Sequence, residues 1–187
     1  MSTPPSDRAG VEAGGLTHLD EHGHAHMVDV TSKPLTRRVA VARCTVATAT
    51  DATKALAGAR DGLDKVQAAR FAGIQAAKLT SSLIPLCHPI RLDRVTVDVT
   101  VDVHAVEITA VTEIVERTGI EMEALTACAV AALSIFDALS GTDPEASIEH
   151  LTLWHKSGGR SGDWQRSALT GEVARIGESR ATENQPE

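Results

Sequence analysis

The segment from Arg94 to Glu116 constrains the fold of this chain more than any other part of the sequence. Valine alternates with threonine and aspartate from Val95 to Val103, and apolar residues alternate with polar or small ones from Val106 to Ile114. Alternation with a period of two predicts strands that are buried on one face only. A turn near His104 would join them into an antiparallel hairpin whose other face is exposed to solvent. Other elements of the chain have to cover the opposite face.

The remaining elements follow from helical periodicity and further alternation. Pro85 and Pro89 exclude a helix interior from Leu83 to Ile90, because proline lacks a backbone N–H and forces its predecessor into an extended conformation. Glu121 to Leu139 is rich in alanine and leucine and predicts a long helix. Further strands are predicted over 37–46 and 147–154, and further helices over 50–58 and 65–79. This order predicts an α+β fold with helices packed on one face of an antiparallel sheet.

The composition bounds the organisation of the chain. With 187 residues, of which 42% are hydrophobic and 23% charged, it suits one globular domain with polar tails over 1–15 and 165–187. No apolar run reaches about 18 residues and the N-terminus lacks an apolar signal region, so we expect a cytoplasmic protein. The three cysteines are too few and too scattered for a disulfide framework or a zinc site.

The charge balance argues against a nucleic-acid-binding protein. A protein with a formal net charge of −7 repels the negatively charged backbone of a nucleic acid. Its aromatic content of 2%, without tyrosine, offers few side chains on which the bases of a single strand could stack. A small anionic ligand is compatible with this balance if lysine, arginine and backbone N–H groups gather locally. Because the core has to consist mainly of small aliphatic residues, which each bury little area, the domain could gain stability by forming a homo-oligomer.

Cys87 and His88 lie between two prolines. Adjacent residues of an extended segment point to opposite faces, which makes these two a poor nucleophile–base pair. The rigid segment could instead present its backbone and the imidazole to a ligand. The alternative is a stiff connection that carries a half-buried histidine, and the sequence leaves both interpretations open.

Carboxylates occupy both ends of the long predicted helix. Those in its first turn, Glu121 and Glu123, are the kind that often serve only as partners of the helix dipole. Asp137 lies near the C-terminal end, where the dipole disfavours an anion, and this favours a catalytic use. Glu123 and Asp137 are separated by about 21 Å along a continuous helix and by about 40° around it. They can reach one small ligand only if a neighbouring subunit supplies one of them.

The segment from Lys156 to Gly162 contains three glycines, two serines and the cations Lys156 and Arg160. Exposed backbone N–H groups and positive charge suit a phosphate group, although a plain flexible loop can have the same composition. Arg70 and Lys78, on the second predicted helix, are either phosphate contacts or solvated cations.

An acidic, histidine-rich segment precedes the first strand and contains His18, Asp20, Glu21, His22, His24, His26 and Asp29. In a strand, His22, His24 and His26 would face one way and could bind a metal. A solvated edge that is incidentally rich in histidine is the favoured interpretation, so no metal site is predicted.

Several motifs together resemble one family. They are Leu16-Thr-His18, His26-Met-Val-Asp29-Val, Ala69-Arg70-x-Ala-Gly73-Ile-Gln-Ala-Ala-Lys78, Leu83-Ile-Pro-Leu-Cys-His-Pro89, Arg117-Thr-Gly-Ile-Glu-Met-Glu-Ala-Leu-Thr126 and Lys156-Ser-Gly-Gly-Arg-Ser-Gly-Asp163. In this order, and over about residues 16–164, they resemble the MoaC family of cyclic pyranopterin monophosphate synthases, which acts in molybdenum cofactor biosynthesis.

The resemblance implies a ferredoxin-like α+β fold, a hexamer built as a trimer of dimers, and an active site at a dimer interface. The implied activity is that of a phosphorus–oxygen lyase, which converts 3′,8-cyclo-7,8-dihydroguanosine 5′-triphosphate to cyclic pyranopterin monophosphate and releases diphosphate. Such a reaction needs proton transfers and a clamp for the triphosphate. The implied partners are this anionic nucleotide and further copies of the chain, with neither nucleic acid nor membrane. No resident cofactor is implied, although Mg²⁺ can accompany the triphosphate.

The resemblance also implies roles for individual residues. Asp137 matches the active-site aspartate of the family, and we expect catalytic roles for Asp137 and His88. Lys65 is expected to be catalytic as well, because it lies two residues from the position at which the family has a lysine. The residues expected to bind substrate are Asp29, Arg70, Lys78, Leu86, Cys87, His88, Met122, Glu123, Lys156 and Arg160.

Two positions depart from the family pattern. Leu63 and Ser140 stand where the resemblance places two catalytic lysines, the second of them one helical turn after Asp137. A shifted loop could let Lys65 or Arg60 compensate for Leu63, whereas no neighbour in the sequence replaces Ser140. Three interpretations follow: an active cyclase with rearranged cations, a related enzyme for another cyclised nucleotide or pterin-like substrate, and a non-catalytic binding homologue.

Overall fold

The computed structural model describes residues 18–20, 22–60 and 63–167, so both predicted tails lie almost entirely outside the described part. In chain order the elements are β1 (Thr36–Ala47), α1 (Ala52–Ala55), β2 (Ala59–Arg60), β3 (Leu63–Asp64), α2 (Lys65–Lys78), α3 (Thr80–Leu83), β4 (Arg94–Val101), β5 (Ala105–Glu116), α4 (Glu121–Leu139), β6 (Ser147–Ser157) and β7 (Trp164–Gln165).

Five strands form one antiparallel sheet in the order β4-β5-β1-β6-β7. The predicted hairpin forms its edge, where Arg94 is opposite Glu113 and Val101 is opposite Val106. The long strand β1 lies between β5 and β6 and pairs with both. With α2 and α4 as the crossing helices, the larger elements follow the βαββαβ pattern of the ferredoxin-like fold. The predicted α+β class, with helices against an antiparallel sheet, is confirmed.

The core lies between one face of the sheet and the helices α2 and α4. Even-numbered residues of β1 and β5 supply its sheet side, including the fully buried Ala40, Ala42, Val46, Val106 and Ile108. Small residues bring the layers close together. A Cβ added at Gly73 on α2 would lie only 2.8 Å from the carbonyl oxygen of Ala127 on α4. This close approach suits a core with very few aromatic rings, because small side chains leave room for the helices to lie close together.

Helix α4 is the central helix of this core. Among the described residues it is long and apolar enough to cross a membrane, by length and composition alone. Its buried residues, which include Ala124, Cys128 and Ile135, pack instead against the sheet and α2. The apolar character of α4 therefore belongs to a core helix.

Two cysteines that are distant in the sequence meet in this core. Cys44 on β1 and Cys128 on α4 are both buried, and their Sγ atoms lie 3.1 Å apart. The third cysteine, Cys87, is partly exposed, and all three are free. The cysteines are scattered along the sequence, as predicted, but Cys44 and Cys128 lie next to each other in the structure.

Helix α2 agrees with its prediction over 65–79, and Asp64 caps it by accepting the N–H groups of Val66 and Gln67. The helix predicted over 50–58 is wrong in extent, because α1 is a single turn, Ala52–Ala55, capped by Asp51. Strand β6 runs three residues further than predicted. Strands β2, β3 and β7 were not predicted, because two residues are too few to show a periodic pattern.

Candidate active site

A cavity of about 700 Å³ opens at the N-terminal end of α4. Its walls come from four parts of the chain: residues 18–19 and 26–38, the turn at 86–88, residues 118–123 around the start of α4, and residues 156–161. Seven of the residues expected to bind substrate line it, namely Leu86, Cys87, His88, Met122, Glu123, Lys156 and Arg160. A volume of this size lies in the range of small-molecule sites.

Positive charge gathers around this cavity although the chain as a whole is acidic. Four cationic side chains line it, those of Lys33, Arg38, Lys156 and Arg160. Glu121 lines it too, and its Oε1 lies 3.1 Å from the Nζ of Lys156. The local concentration of lysine and arginine that an anionic ligand requires is therefore present.

Glu123 is the buried acid of the cavity. It lies in the first turn of α4 and is only 3% exposed. Burial raises the pKa of its carboxyl from 4.5 to about 7, and the negative charge of Glu121 acts in the same direction. A carboxyl with a pKa near neutrality can both donate and accept a proton at physiological pH.

The Pro-Leu-Cys-His-Pro segment begins with a turn, since the N–H of Cys87 donates to the carbonyl of Ile84 at 3.1 Å. Cys87 and His88 both line the cavity. Burial raises the pKa of the Cys87 thiol, and the negative charge of Glu123 raises it further. Cys87 is therefore a thiol rather than a thiolate at neutral pH.

Both ring nitrogens of His88 have partners within the chain. Nε2 lies 2.9 Å from the carbonyl oxygen of Val28, and Nδ1 lies 3.4 Å from Oγ1 of Thr118. These partners assign the tautomer in which Nε2–H donates to Val28 and Nδ1 accepts from Thr118. His88 thus ties the segment before β1 to the cavity wall, and it must release a partner before it can transfer a proton to a ligand.

The glycine-rich loop after β6 is fixed in position. Gly158 has a φ of +84°, and a Cβ at this residue would collide with the carbonyl oxygen of Arg37. The carboxylate of Asp163 accepts the N–H of Gly158 at 3.2 Å. Two tryptophans flank the loop: Trp154 stacks under the guanidinium of Arg43, and Trp164 pairs with Lys156 across β6 and β7. These contacts disfavour the interpretation as a plain flexible loop.

The other expected site residues lie outside the cavity of a single chain. Lys65 begins α2 and donates from Nζ to the carbonyl of Ala55 at 2.7 Å. Arg70 donates to the carbonyl of Val99 at 3.3 Å, and Lys78 is exposed at the end of α2. Asp29 is exposed and accepts the N–H and hydroxyl of Thr31, although its neighbours on both sides line the cavity.

Asp137 lies at the far end of α4 and is exposed. Because the helix is unbroken from Glu121 to Leu139, the separation of about 21 Å between Glu123 and Asp137 stands. Ser140 ends the helix, and its hydroxyl donates to the carbonyl of Asp137 at 2.8 Å. One chain therefore presents the cavity at one end of α4 and Asp137 at the other.

Sequence reasoning did not assign a site role to Arg38, Lys33 or Thr118, which all line the cavity. Arg38 carried a usable signal. It shares the even-numbered face of β1 with the buried Ala40 and Ala42, and an arginine on a core-facing row is unusual.

Residues 22–26 of the histidine-rich segment do not form a strand. A single bridge between Leu19 and Ala25 closes a small loop, in which Asp20 accepts the N–H groups of His22 and His24. Within residues 18–20, 22–60 and 63–167, no group of three or more His, Cys, Asp or Glu side chains could hold a metal ion. Within these ranges the structure therefore offers no support for the metal-binding alternative.

Comparison with known proteins gives one consistent result. A family model described as the MoaC family matches residues 27–159. "Cyclic pyranopterin monophosphate synthase" of Thermomicrobium roseum is 51% identical over 154 residues, which are 81% of this chain and 93% of the relative. "Cyclic pyranopterin monophosphate synthase 2" of Mycobacterium tuberculosis (strain H37Rv) is 48% identical over 82% of this chain and 93% of the relative. The Streptomyces coelicolor protein named "Cyclic pyranopterin monophosphate synthase" is 48% identical over 81% of this chain and 90% of the relative.

Proposed function

The chain belongs to the MoaC family, and from that membership we propose that it is a cyclic pyranopterin monophosphate synthase, a lyase of molybdenum cofactor biosynthesis. Its substrate is the cyclised guanosine triphosphate that the family resemblance implies. We place it in the cytoplasm, as proposed from the sequence. The observation that carries the proposal is the cavity at the start of α4, in which four cationic side chains surround one buried acid.

The cations suit the triphosphate. A triphosphate carries several negative charges in a row, and Lys33, Lys156 and Arg160 offer positive charge from different walls of the cavity. Diphosphate, the leaving group, keeps these contacts as its bond to the remaining phosphate breaks. Positive charge placed where negative charge develops stabilises such a transition state.

Glu123 suits the proton transfers. Ring opening and ring closure both move protons, and a carboxyl with a pKa of about 7 exchanges protons readily in either direction. Its neighbour Cys87 supplies a neutral thiol rather than a negative charge, so it does not repel the substrate. His88 fixes the wall that carries both the 18–33 segment and Thr118.

The remaining expected groups come from a second copy of the chain. Asp137 cannot reach the cavity of its own chain, because about 21 Å of continuous helix separate it from Glu123. We propose a homo-oligomer in which a neighbouring subunit brings Asp137, with Lys65, Arg70 and Lys78 as further candidates, to the cavity. The hexamer built as a trimer of dimers is the assembly proposed from the resemblance.

The decisive experiment is single-turnover conversion of the cyclic dihydro-GTP by the purified protein, read as a fluorescent pterin derivative. A family enzyme that has both lysines serves as the positive control, and Glu123→Gln serves as the matched loss-of-function variant. Product formation that depends on Glu123 supports the proposal. Absence of product, while calorimetry still shows binding of the substrate, overturns the cyclase function.

The missing lysines favour a second candidate, a homologue that binds the ligand without this turnover or acts on another cyclised nucleotide. Ser140 carries no amine, and the ammonium of Lys65 donates to the carbonyl of Ala55 outside the cavity of its own chain. The double variant Leu63→Lys/Ser140→Lys separates the cases. A gain of cyclase activity indicates a decayed or regulatory member, whereas intact binding without any gain indicates a changed substrate.

A further inference from the structure

Arg38 connects two segments of the cavity wall that are distant in the sequence. Its side chain leaves the first half of β1 toward the end of β5. Nε donates to the carbonyl of Glu116 at 2.9 Å, and Nη2 donates to the carbonyl of Arg117 at 3.0 Å. The guanidinium therefore holds two successive carbonyls of the segment that leads into α4, immediately before the cavity residues Thr118 and Gly119.

The same guanidinium packs against the glycine-rich loop. Gly159 has a φ of +74°, and a Cβ added there would collide with Nη1 of Arg38 and lie 2.8 Å from its Cζ. Any side chain at this position would displace the guanidinium. Arg38 therefore lies between the β5–α4 segment on one side and the loop that carries Arg160 on the other.

We propose that Arg38 is a positioning residue, which fixes the glycine-rich loop relative to the start of α4 so that Arg160 of the loop meets the phosphate chain beside Lys156 of β6 and opposite Glu123. The inference rests on the proposed function only in taking the anion to be a phosphate chain. The proposed role depends on the shape of the guanidinium as well as on its charge. One planar group donates both hydrogen bonds and packs against Gly159 at the same time.

Lysine cannot reproduce this arrangement. An ammonium group keeps the charge but is a single point donor on a flexible stem, so it cannot bridge two carbonyls and support Gly159 together. The pair of variants Arg38→Lys and Arg38→Gln therefore separates the two explanations. If Arg38 acts by charge alone, lysine preserves function; if it acts by position, both substitutions fail alike.

Arg37 provides the matched control. It precedes Arg38, points to the other face of the sheet, and forms an exposed ion pair with Glu113 at 2.6 Å. Arg37→Gln removes the same charge from the same strand, and it leaves the hydrogen bonds of Arg38 in place.

The experiment measures binding of inorganic diphosphate to the full chain by calorimetry, together with amide hydrogen exchange of the segments 117–120 and 158–162. We expect Kd to rise about tenfold in both Arg38→Lys and Arg38→Gln and to change less than about twofold in Arg37→Gln. Exchange should accelerate in both segments together in the Arg38 variants. A merely local effect would accelerate only one of them.

Several results overturn the inference. Wild-type affinity in Arg38→Lys shows that charge alone is needed, and wild-type affinity in Arg38→Gln shows that Arg38 is not needed. The inference is also overturned if the amide exchange rates of the two segments stay unchanged in the Arg38 variants, or if only one segment exchanges faster. If the unmodified protein does not bind diphosphate, the phosphate site of the proposed function fails, and the exchange data still decide separately whether Arg38 holds the two segments together.

Discussion

Lys156 on β6 and Glu121 at the start of α4 form an ion pair across the cavity, with 3.1 Å between Nζ and Oε1. Their side chains are 29% and 30% exposed, so solvent screens the pair only in part. An anionic ligand that approaches Lys156 has to compete with the carboxylate of Glu121. The pair therefore affects how strongly the cavity attracts phosphate.

Replacing Glu121 by glutamine should strengthen anion binding. Glu121→Gln releases Lys156 and removes a negative charge from the cavity, and we expect the Kd for diphosphate to fall about threefold at low ionic strength. Calorimetry measures this effect. Glu113→Gln, which breaks an ion pair away from the cavity, is the control and should leave Kd unchanged. Weaker binding in Glu121→Gln would show that the carboxylate organises the site rather than competing for it.

The buried carboxyl of Glu123 should make stability fall as the pH rises. The folded carboxyl has a pKa of about 7 and the unfolded one about 4.5, so the folded state binds more protons between these values. The free energy of unfolding therefore decreases across this window, by up to about 3 kcal/mol, and the loss is complete above pH 7. Urea unfolding at pH 5 and pH 8, at one protein concentration, measures the difference.

Glu123→Gln supplies the reference for that measurement. Glutamine does not titrate, so the variant lacks this contribution while all other groups still contribute. We expect its stability to fall less than that of the unmodified protein between the two pH values. Equal slopes would mean that Glu123 has an ordinary pKa in the folded state.

Gly73 should tolerate no side chain. A Cβ there would lie 2.8 Å from the carbonyl of Ala127 and 3.1 Å from Cγ2 of Val97, so α2 and α4 have to move apart. We expect Gly73→Ala to lower the free energy of unfolding by about 1–3 kcal/mol, measured by urea unfolding. Gly141→Ala is the control, because a Cβ at Gly141 meets nothing within 4 Å. Its effect should stay within about 0.5 kcal/mol, and similar losses in both variants would argue against a contact between the helices at Gly73.

Two inactive variants should complement each other if neighbouring subunits share the site. Glu123→Gln impairs the cavity end of α4 and Asp137→Asn impairs the other end. After subunits of the two variants are mixed in equal amounts and exchanged, about one quarter of the sites combine the two intact ends. The cyclase assay should then recover about that fraction of the activity. Mixtures that stay as inactive as the separate variants would place both residues in sites of one chain.

The three cysteines should differ sharply in reactivity. Cys87 lines the cavity, whereas Cys44 is 3% exposed and Cys128 is fully buried. A chromogenic disulfide reagent should therefore modify one thiol in the native protein and three in urea, and Cys87→Ser should remove the native reaction. Diphosphate in the cavity should slow it. Rapid modification of two or three native thiols would contradict the burial of the Cys44–Cys128 pair.

The parts of the fold that the sequence predicts are those with long periodic patterns. The hairpin of β4 and β5 repeats every two residues over both strands, and α4 is a long run rich in alanine and leucine. The extent of α1 depends on the cap at Asp51, which a propensity pattern does not show. Proximity of Cys44 and Cys128 depends on how α4 is rotated against β1, which no local pattern encodes.

The same division applies to the candidate site. Leu86 to His88, Met122, Glu123 and the glycine-rich loop belong to contiguous motifs, and the structure brings them together. Lys33 contributes through the path of the chain before β1, so its role becomes visible only in three dimensions, whereas Arg38 stands out already by its place on the core-facing row of β1. The engagement of both nitrogens of His88 likewise depends on Val28 and Thr118, which lie far away in the sequence.

Trp154 and Trp164 flank the glycine-rich loop in the sequence, and their fluorescence can be used to observe it. The chain has two tryptophans and no tyrosine, so its ultraviolet-excited emission comes from these two rings, and Trp164 pairs with Lys156 across β6 and β7. One ring is held under Arg43, and the other is 40% exposed. Intensity, wavelength and quenching by dissolved iodide should therefore follow events at this loop. Tryptophan emission should therefore report on the position of the loop when diphosphate is added, and no label has to be attached.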